Sequence, residues 1–307
     1  MFDRLLATDR ENGVILAEAS EILGRDLHTL FHRDNSSQFQ LNRNVQVGVF
    51  LTNYMYAESL RRRGVHADYS LGLSLGEYNH LVDIGALSFR DAVSLLEQRG
   101  AAYECAPEGV MTAVFPVDPE DALEAVGRVS NGSNAAVAMF NAPRQCVLSG
   151  DRDAVESASA WLVDETGALS TVIEPRLPMH SPLFRQVGEV LQPALQSVRW
   201  RRPAKPYVPN LLGRIISDPS PADLIYCLSR HPWLPVLWRQ SVEFIVAEAT
   251  NPIFVEVGPK SVLHDMLGRR WISAPRRLTD AEGNLAESLD KLAIELTYGR
   301  RALTVAC

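Results

Sequence analysis

Apolar positions recur along this chain with two different periods. Ile15, Leu16, Ala19 and Ile22 return at helical spacing, and Gly24 is placed to stop that helix. A second amphipathic stretch, Val45 to Leu60, ends in Arg61, Arg62, Arg63 and Gly64, with basic residues where a helix C-terminus favours them. A short extended piece from Ala67 to Ser74 leads into a helix from about Leu75 to Val82 and a turn at Asp83 to Leu87. Ser88 followed by Asp91 resembles a capping box opening a helix from Phe89 to Tyr103.

The middle of the chain changes rhythm. Val110 to Val117 reads as a strand and Pro119 to Arg128 as a helix. Ala135 to Phe140 and Gln145 to Ser149 read as strands flanking Asn141-Ala142-Pro143-Arg144, Asp151 to Asp164 as a helix, and Ser170 to Pro175 as a strand. This βαββαβ order is that of a ferredoxin-like unit. It predicts a subdomain over 109–176 inserted into a larger α/β domain formed by 1–108 and 177–307. Beyond it come a helix from Leu183 to Leu195, a proline-rich stretch around Pro203 to Pro209, and a helix from Ser241 to Ala249. A buried strand from Ile253 to Val257 runs into Gly258-Pro259, with a helix starting near Ser261. The tail, Gly283 to Tyr298, is amphipathic, with Leu285, Leu289, Leu292 and Ile294 available for packing.

Composition narrows the function classes. The 307 residues are 46% hydrophobic and 22% charged, which is globular, and the net charge of −7 argues against non-specific nucleic-acid binding. No apolar run approaches the roughly 20 residues that span a bilayer, and the N-terminus has no signal core, so a cytoplasmic protein is expected. Cys105, Cys146, Cys227 and Cys307 are scattered without a CxxC pair, as reduced thiols are, and no metal site is expected. No internal repeat is visible.

Three features carry candidate chemistry. Gly72-Leu73-Ser74-Leu75-Gly76 sits at a strand-to-helix junction, the pattern of a nucleophile elbow, in which a tight turn lifts the serine clear of the sheet. The N–H of Leu75 would then face a developing oxyanion; a merely structural glycine turn is the competing reading. Among seven histidines, His180 stands between Pro178 and Pro182, where the backbone is fixed and the ring is free of helix or ladder. It is either the base for Ser74 or an ordinary loop histidine. His28 and His32, four apart, have the spacing of a metal pair, but no third ligand is evident. Arg99 shares a helical stripe with Ala92, Leu95, Leu96 and Tyr103, so it either snorkels or waits for an anion.

These residues resemble a known family, the malonyl-CoA:acyl-carrier-protein acyltransferases of fatty acid and polyketide synthesis. Gly72 to Tyr78 is similar to its GHSxGE(Y) elbow, Gly85 to Phe89 to the segment after it, and Gln98-Arg99-Gly100 to its arginine motif. Asn141 to Gln145 is similar to its N-x-P-x-Q, Met179 to Leu183 to its FHSPL, Asn210 to Gly213 to its N-x-x-G, and Val255 to Pro259 to its EVGP. The last helix, with Leu292 to Leu296 leading to Gly299, resembles the tail after polyketide-synthase acyltransferase domains. The resemblance implies an α/β-hydrolase-like fold carrying a ferredoxin-like subdomain, and a stand-alone enzyme serving carrier proteins.

The resemblance also implies roles for individual residues. Ser74 would attack malonyl-CoA with His180 as base, and the phosphopantetheine thiol of an acyl carrier protein would receive the malonyl unit. No bound cofactor is implied. Arg99 would grip the free carboxylate, with Gln46, Asn141, Met179 and Leu73 lining the acyl site. A main-chain carbonyl near Ala249 would orient the histidine. Met179 stands where the family has Phe for malonyl or Ser for methylmalonyl, and its bulk favours malonyl. Leu73 replaces the histidine of GHSxG, which is not the base. The family also opens with a strand and a GQGSQ loop, for which nothing here corresponds; Gly24 to Leu27 fall in register, and Met1 lands just after that loop. The expectation is an internal methionine start, against a chain weakened by one missing core strand. The other activities compatible with the motifs are a proofreading acyl hydrolase, the malonyltransferase of a malonate decarboxylase, and an inactive paralogue that only binds carrier protein.

Overall fold

The computed structural model describes residues 2–129, 134–268, 270–280, 283–298 and 303–306. Its backbone forms two compact units. One comprises Met1–Glu104, Arg199–Tyr207 and Ile245–Cys307; the other comprises Cys105–Val198 and Val208–Phe244.

The first unit begins with helices α1 (Phe2–Thr8), α2 (Arg10–Leu23), α3 (Leu27–Leu30) and α4 (Asn42–Arg62). Asp9 caps α2, its side chain accepting from the Glu11 N–H, and Gly24 ends it at φ 65, a left-handed conformation that glycine adopts without strain. Strand β1 (Tyr69–Leu71) runs into α5 (Gly76–Asp83), and α6 (Phe89–Glu104) follows. Ser88 and Asp91 make the expected box: the Asp91 N–H donates to Ser88 Oγ at 3.0 Å. At Gly100, α6 meets α4 backbone to backbone, since a Cβ there would lie 2.2 Å from the Arg43 Cα. Leu5, Leu16, Phe50, Leu51, Leu81 and Leu96 form part of the buried core of this unit.

The second unit holds β2 (Val110–Phe115), α7 (Pro119–Val129), β3 (Ala135–Ala142), β4 (Gln145–Gly150), α8 (Arg152–Thr166) and β5 (Leu169–Glu174). The strands form an antiparallel sheet in the order β3-β4-β2-β5, which is the ferredoxin-like arrangement. Alternation divides β2 between two faces. Val110 and Val114 join Ala125, Leu148, Val155 and Leu162 in the core beneath α7 and α8. Met111 faces the other way, with Ala138, Val147 and the partly buried Met179. The strands lie inside 109–176, whereas the compact unit is larger, adding α9 (Arg185–Ser197) and α10 (Pro221–Arg230). The outer edge of β3 is closed by Val236, whose N–H donates to the Ala138 carbonyl at 2.9 Å.

After α11 (Trp238–Glu248), the first unit continues with β6 (Ile253–Glu256), α12 (Val262–Met266), β7 (Arg276–Leu278), α13 (Leu285–Tyr298) and β8 (Leu303–Ala306). Its sheet is parallel, in the order β1-β8-β6-β7. The chain is therefore α/β, with an α/β-hydrolase-like parallel sheet and a ferredoxin-like subdomain. Residues 303–306, which hydropathy patterning leaves unassigned, supply the strand beside β1. Among the described residues, no helix is long and apolar enough to cross a membrane.

Candidate active site

β1 delivers Ser74 on a sharp turn. Its φ is 50, a strained value for a residue with a side chain. The chain folds back so tightly that a Cβ at Gly72 would fall 2.0 Å from the Gly76 carbonyl and 2.4 Å from the Glu77 nitrogen. Only glycine fits there. Leu75 follows as the N-cap of α5, so its N–H lies at a helix N-terminus, where partial positive charge accumulates. Leu73, Ser74 and Leu75 are half-buried.

The helix behind the elbow is held by buried polar groups. Tyr207 Oη donates to Glu77 Oε1 at 2.6 Å, and Asn79 Nδ2 donates to the Phe50 carbonyl at 3.0 Å. Ser70 Oγ lies 2.7 Å from His80 Nδ1, joining β1 to α5. Burial pushes the His80 imidazole down to about 4, against the pull of Asp83, so it is neutral at pH 7.

In the same unit, α6 presents Arg99, which is only 2% exposed. Its Nη1 donates to Gln46 Oε1 at 2.7 Å, and its guanidinium lies over Tyr103, with the ring centroid 4.5 Å away. Nε and Nη2 have no hydrogen-bond acceptor among the described residues. Those two N–H groups form one edge of the fork, the edge that takes a carboxylate bidentately. Snorkelling does not describe this arginine, because its head is buried with its stem. Burial raises the phenols of Tyr78 and Tyr103, with the nearby Arg99 charge opposing the rise, so both stay protonated.

The second unit holds His180, fully buried at φ 60, with its N–H donating to the Pro232 carbonyl at 2.7 Å. Its Nδ1 is 2.8 Å from the His231 carbonyl and 3.3 Å from the Leu234 carbonyl. Carbonyls only accept, so Nδ1 carries the hydrogen and the neutral ring keeps its lone pair on Nε2. These two carbonyls replace the one expected near Ala249. Sequence reading misses them because a main-chain acceptor leaves no side-chain signature.

The remaining sequence candidates divide. Asn141 is buried on β3, and its Oδ1 lacks a partner among the described residues. Met179 packs against the sheet face of Met111, Ala138 and Val147. Gln46 and Arg99 are brought together, while Ser74 and His180 belong to different units. Glu256 is a cap, accepting from the Leu263 and His264 N–H groups at the start of α12. His32 Nδ1 accepts from the Asp34 N–H, and among the described residues no group of three His, Cys, Asp or Glu is placed to hold a metal.

Comparison with known proteins identifies this arrangement. The acyl transferase domain family matches residues 12–288. The chain belongs to that family. Within it, the chain is 31% identical over 255 residues to the malonyl CoA-acyl carrier protein transacylase of Bacillus subtilis, covering 81% of this chain and 79% of that protein. It is 30% identical over 258 residues to the protein of that name from Escherichia coli K12, covering 82% of each. Among solved acyl transferase structures, MCAT from Streptococcus pneumoniae matches with a TM-score of 0.86 at 27% identity, covering 95% of both chains. A malonyl-transacylase in complex with its type II polyketide synthase acyl-carrier protein matches with a TM-score of 0.86 at 27% identity, covering 96% of this chain and 94% of that one.

Proposed function

We propose that the protein is a cytoplasmic acyltransferase that moves a malonyl unit from malonyl-CoA, through an ester on Ser74, to the phosphopantetheine thiol of an acyl carrier protein in polyketide or fatty acid biosynthesis. The observation that carries this reading is Arg99. A buried guanidinium with one edge bonded to Gln46 and the other without an acceptor suits an acyl group that ends in a carboxylate.

The chemistry runs in two transfers. His180 Nε2 takes the Ser74 proton as Oγ attacks the thioester carbonyl, and the Leu75 N–H stabilises the resulting oxyanion. The C–S bond then breaks, and the CoA sulfur leaves with the proton that His180 returns. In the second transfer, His180 takes the proton of the pantetheine thiol. The sulfur attacks the serine ester, the C–O bond breaks, and Ser74 regains its proton. Two carbonyls stand where a carboxylate orients the histidine of other serine enzymes, so the ring is held in its tautomer by neutral acceptors. Leu73, Gln46, Asn141 and Met179 line the acyl site in this reading. No bound cofactor takes part, because the accepting thiol belongs to the carrier protein.

The test is incubation with radiolabelled malonyl-CoA followed by intact-mass measurement. The protein gains one malonyl unit, the unit passes to added holo carrier protein, and Ser74→Ala gains none. Labelling that persists in Ser74→Ala would remove the assignment.

A further inference from the structure

The two edges of the ferredoxin-like sheet are treated differently. The β3 edge is closed by the bridge between Met139 and Val236. At the other edge, β5 pairs with β2 alone among the described residues, so one side of its backbone has no ladder partner. Edge strands are ordinarily guarded by lysine, proline or inward-pointing charge. β5 reads Leu-Ser-Thr-Val-Ile-Glu and has neither lysine nor proline; its register shifts opposite Met111 and Thr112, so the regular edge runs from Leu169 to Val172. Its one charge, Glu174, is turned back to accept from the Arg176 and Leu177 N–H groups.

This edge exposes several apolar side chains among polar ones. Phe115 pairs with Leu169 on one face, and Ile173 lies at the register shift beyond Val172; all three are more than half exposed. On the opposite face, Val172 pairs with Thr112 and borders a cavity of about 340 Å³ between β5 and α8. Thr112, Ser159, Val163 and Val172 line it, with Glu156 and Asp164 at its rim. Ser159 is buried, at 5% exposure, and its Oγ has no hydrogen-bond partner among the described residues. A buried hydroxyl without a partner is unfavourable, and an incoming hydrogen-bonding group would satisfy it.

We propose that the outer edge of β5, with the groove beside α8, is a docking strand for an extended segment of a partner protein in which apolar and basic residues alternate. Strand addition satisfies the free backbone groups of β5, and alternate side chains fall on its two faces, apolar ones against Leu169 and Val172 and basic ones toward the acidic rim. Charge decides the kind of partner. α8 carries Asp153, Glu156, Asp164 and Glu165, and its only cation, Arg152, is engaged by Glu156 at 3.4 Å and by the Pro175 carbonyl at 2.6 Å. A second copy of this chain pairing through β5 would set two such acidic helices side by side, so like charges oppose that arrangement. A basic segment meets the groove with opposite charge.

The experiment uses the whole chain and a capped synthetic peptide of about six residues, an ordinary strand length, alternating valine with lysine and arginine. Its counterpart carries glutamate at the basic positions. Binding is followed by isothermal titration and by amide hydrogen exchange. The basic peptide is expected to bind and slow exchange in β5, and the acidic peptide is expected not to bind. Asp164→Lys is expected to weaken binding about fivefold or more, and Val172→Asn to weaken it as well, with neither variant altering malonyl transfer. Equal binding of the two peptides would overturn the proposal, as would protection outside β5 or indifference to both substitutions. A dimer in sedimentation that Val172→Asn dissolves would assign the edge to a second copy instead.

Discussion

Gln46 Oε1 accepts from Arg99 Nη1 at 2.7 Å, and Gln46 Nε2 donates in turn to Asn42 Oδ1 at 2.5 Å. The second bond fixes which way the amide points, so the oxygen faces the guanidinium and the arginine is oriented without being neutralised. A carboxylate in place of Gln46 would consume the positive charge. A neutral acceptor leaves the Nε and Nη2 edge to an outside anion.

Arg99→Ala is therefore expected to lower kcat/KM for malonyl-CoA by about 10²–10³-fold, the loss that comes from truncating one partner of a buried charge pair. Acetyl-CoA, which has no carboxylate, is expected to gain relative to malonyl-CoA. Gln46→Glu is expected to lower malonyl transfer by about tenfold or more while raising stability, because the arginine is then paired internally. Steady-state kinetics with both thioesters, beside urea unfolding, separate these effects.

Gly100 sits one residue from Arg99, at the contact between α6 and α4. A methyl group there would meet the Arg43 backbone at 2.2 Å, too close for any side-chain rearrangement to relieve. Gly100→Ala is expected to cost about 2–3 kcal/mol in urea unfolding. It also moves Gln46 away from Arg99, so KM for malonyl-CoA rises with it. A variant that unfolds at the wild-type midpoint would disprove the close packing.

The elbow stores backbone strain at Ser74, whose φ is 50. Glycine removes that strain, whereas alanine keeps it. Ser74→Gly is expected to be more stable than Ser74→Ala by about 1 kcal/mol, although neither forms an acyl-enzyme. Thermal denaturation of the two variants side by side is the measurement.

The elbow is legible in the sequence because its glycines are demanded by local geometry, and local geometry is what short patterns encode. The βαββαβ order is legible for the same reason, with short apolar runs in β3 and β4 and amphipathic helices between strands. The fourth strand of the parallel sheet is not: β8 has four residues and β7 three, too few for a period to show. α10 escapes the hydropathy pattern although its signal is present, since Ser220, Pro221 and Asp223 form a capping box with proline at the first turn. Arg99 is legible as a misplaced charge on an apolar stripe. Its partner Gln46 carries no such mark in the pattern and enters only through the family resemblance, because it lies 53 residues earlier and reaches Arg99 only through the close approach at Gly100.

His80 gives the fold a pH dependence of known sign. The ring is buried between β1 and α5 with Ser70 Oγ on its Nδ1, and burial holds it down to about 4, while Asp83 pulls it up and Lys205 pushes it further down. Unfolding frees it to bind a proton at about 6.5, so between these values the unfolded chain holds more protons than the folded one. Stability therefore falls as the pH drops through that window, by roughly 2 kcal/mol at about pH 5, and the loss levels off near 3 kcal/mol below about pH 4. His80→Gln, which keeps a polar partner for Ser70 but cannot titrate, is expected to lose that much less between neutral pH and pH 5. Urea unfolding of wild type and variant at the two pH values checks this; equal losses would mean that the imidazole is already charged in the folded protein.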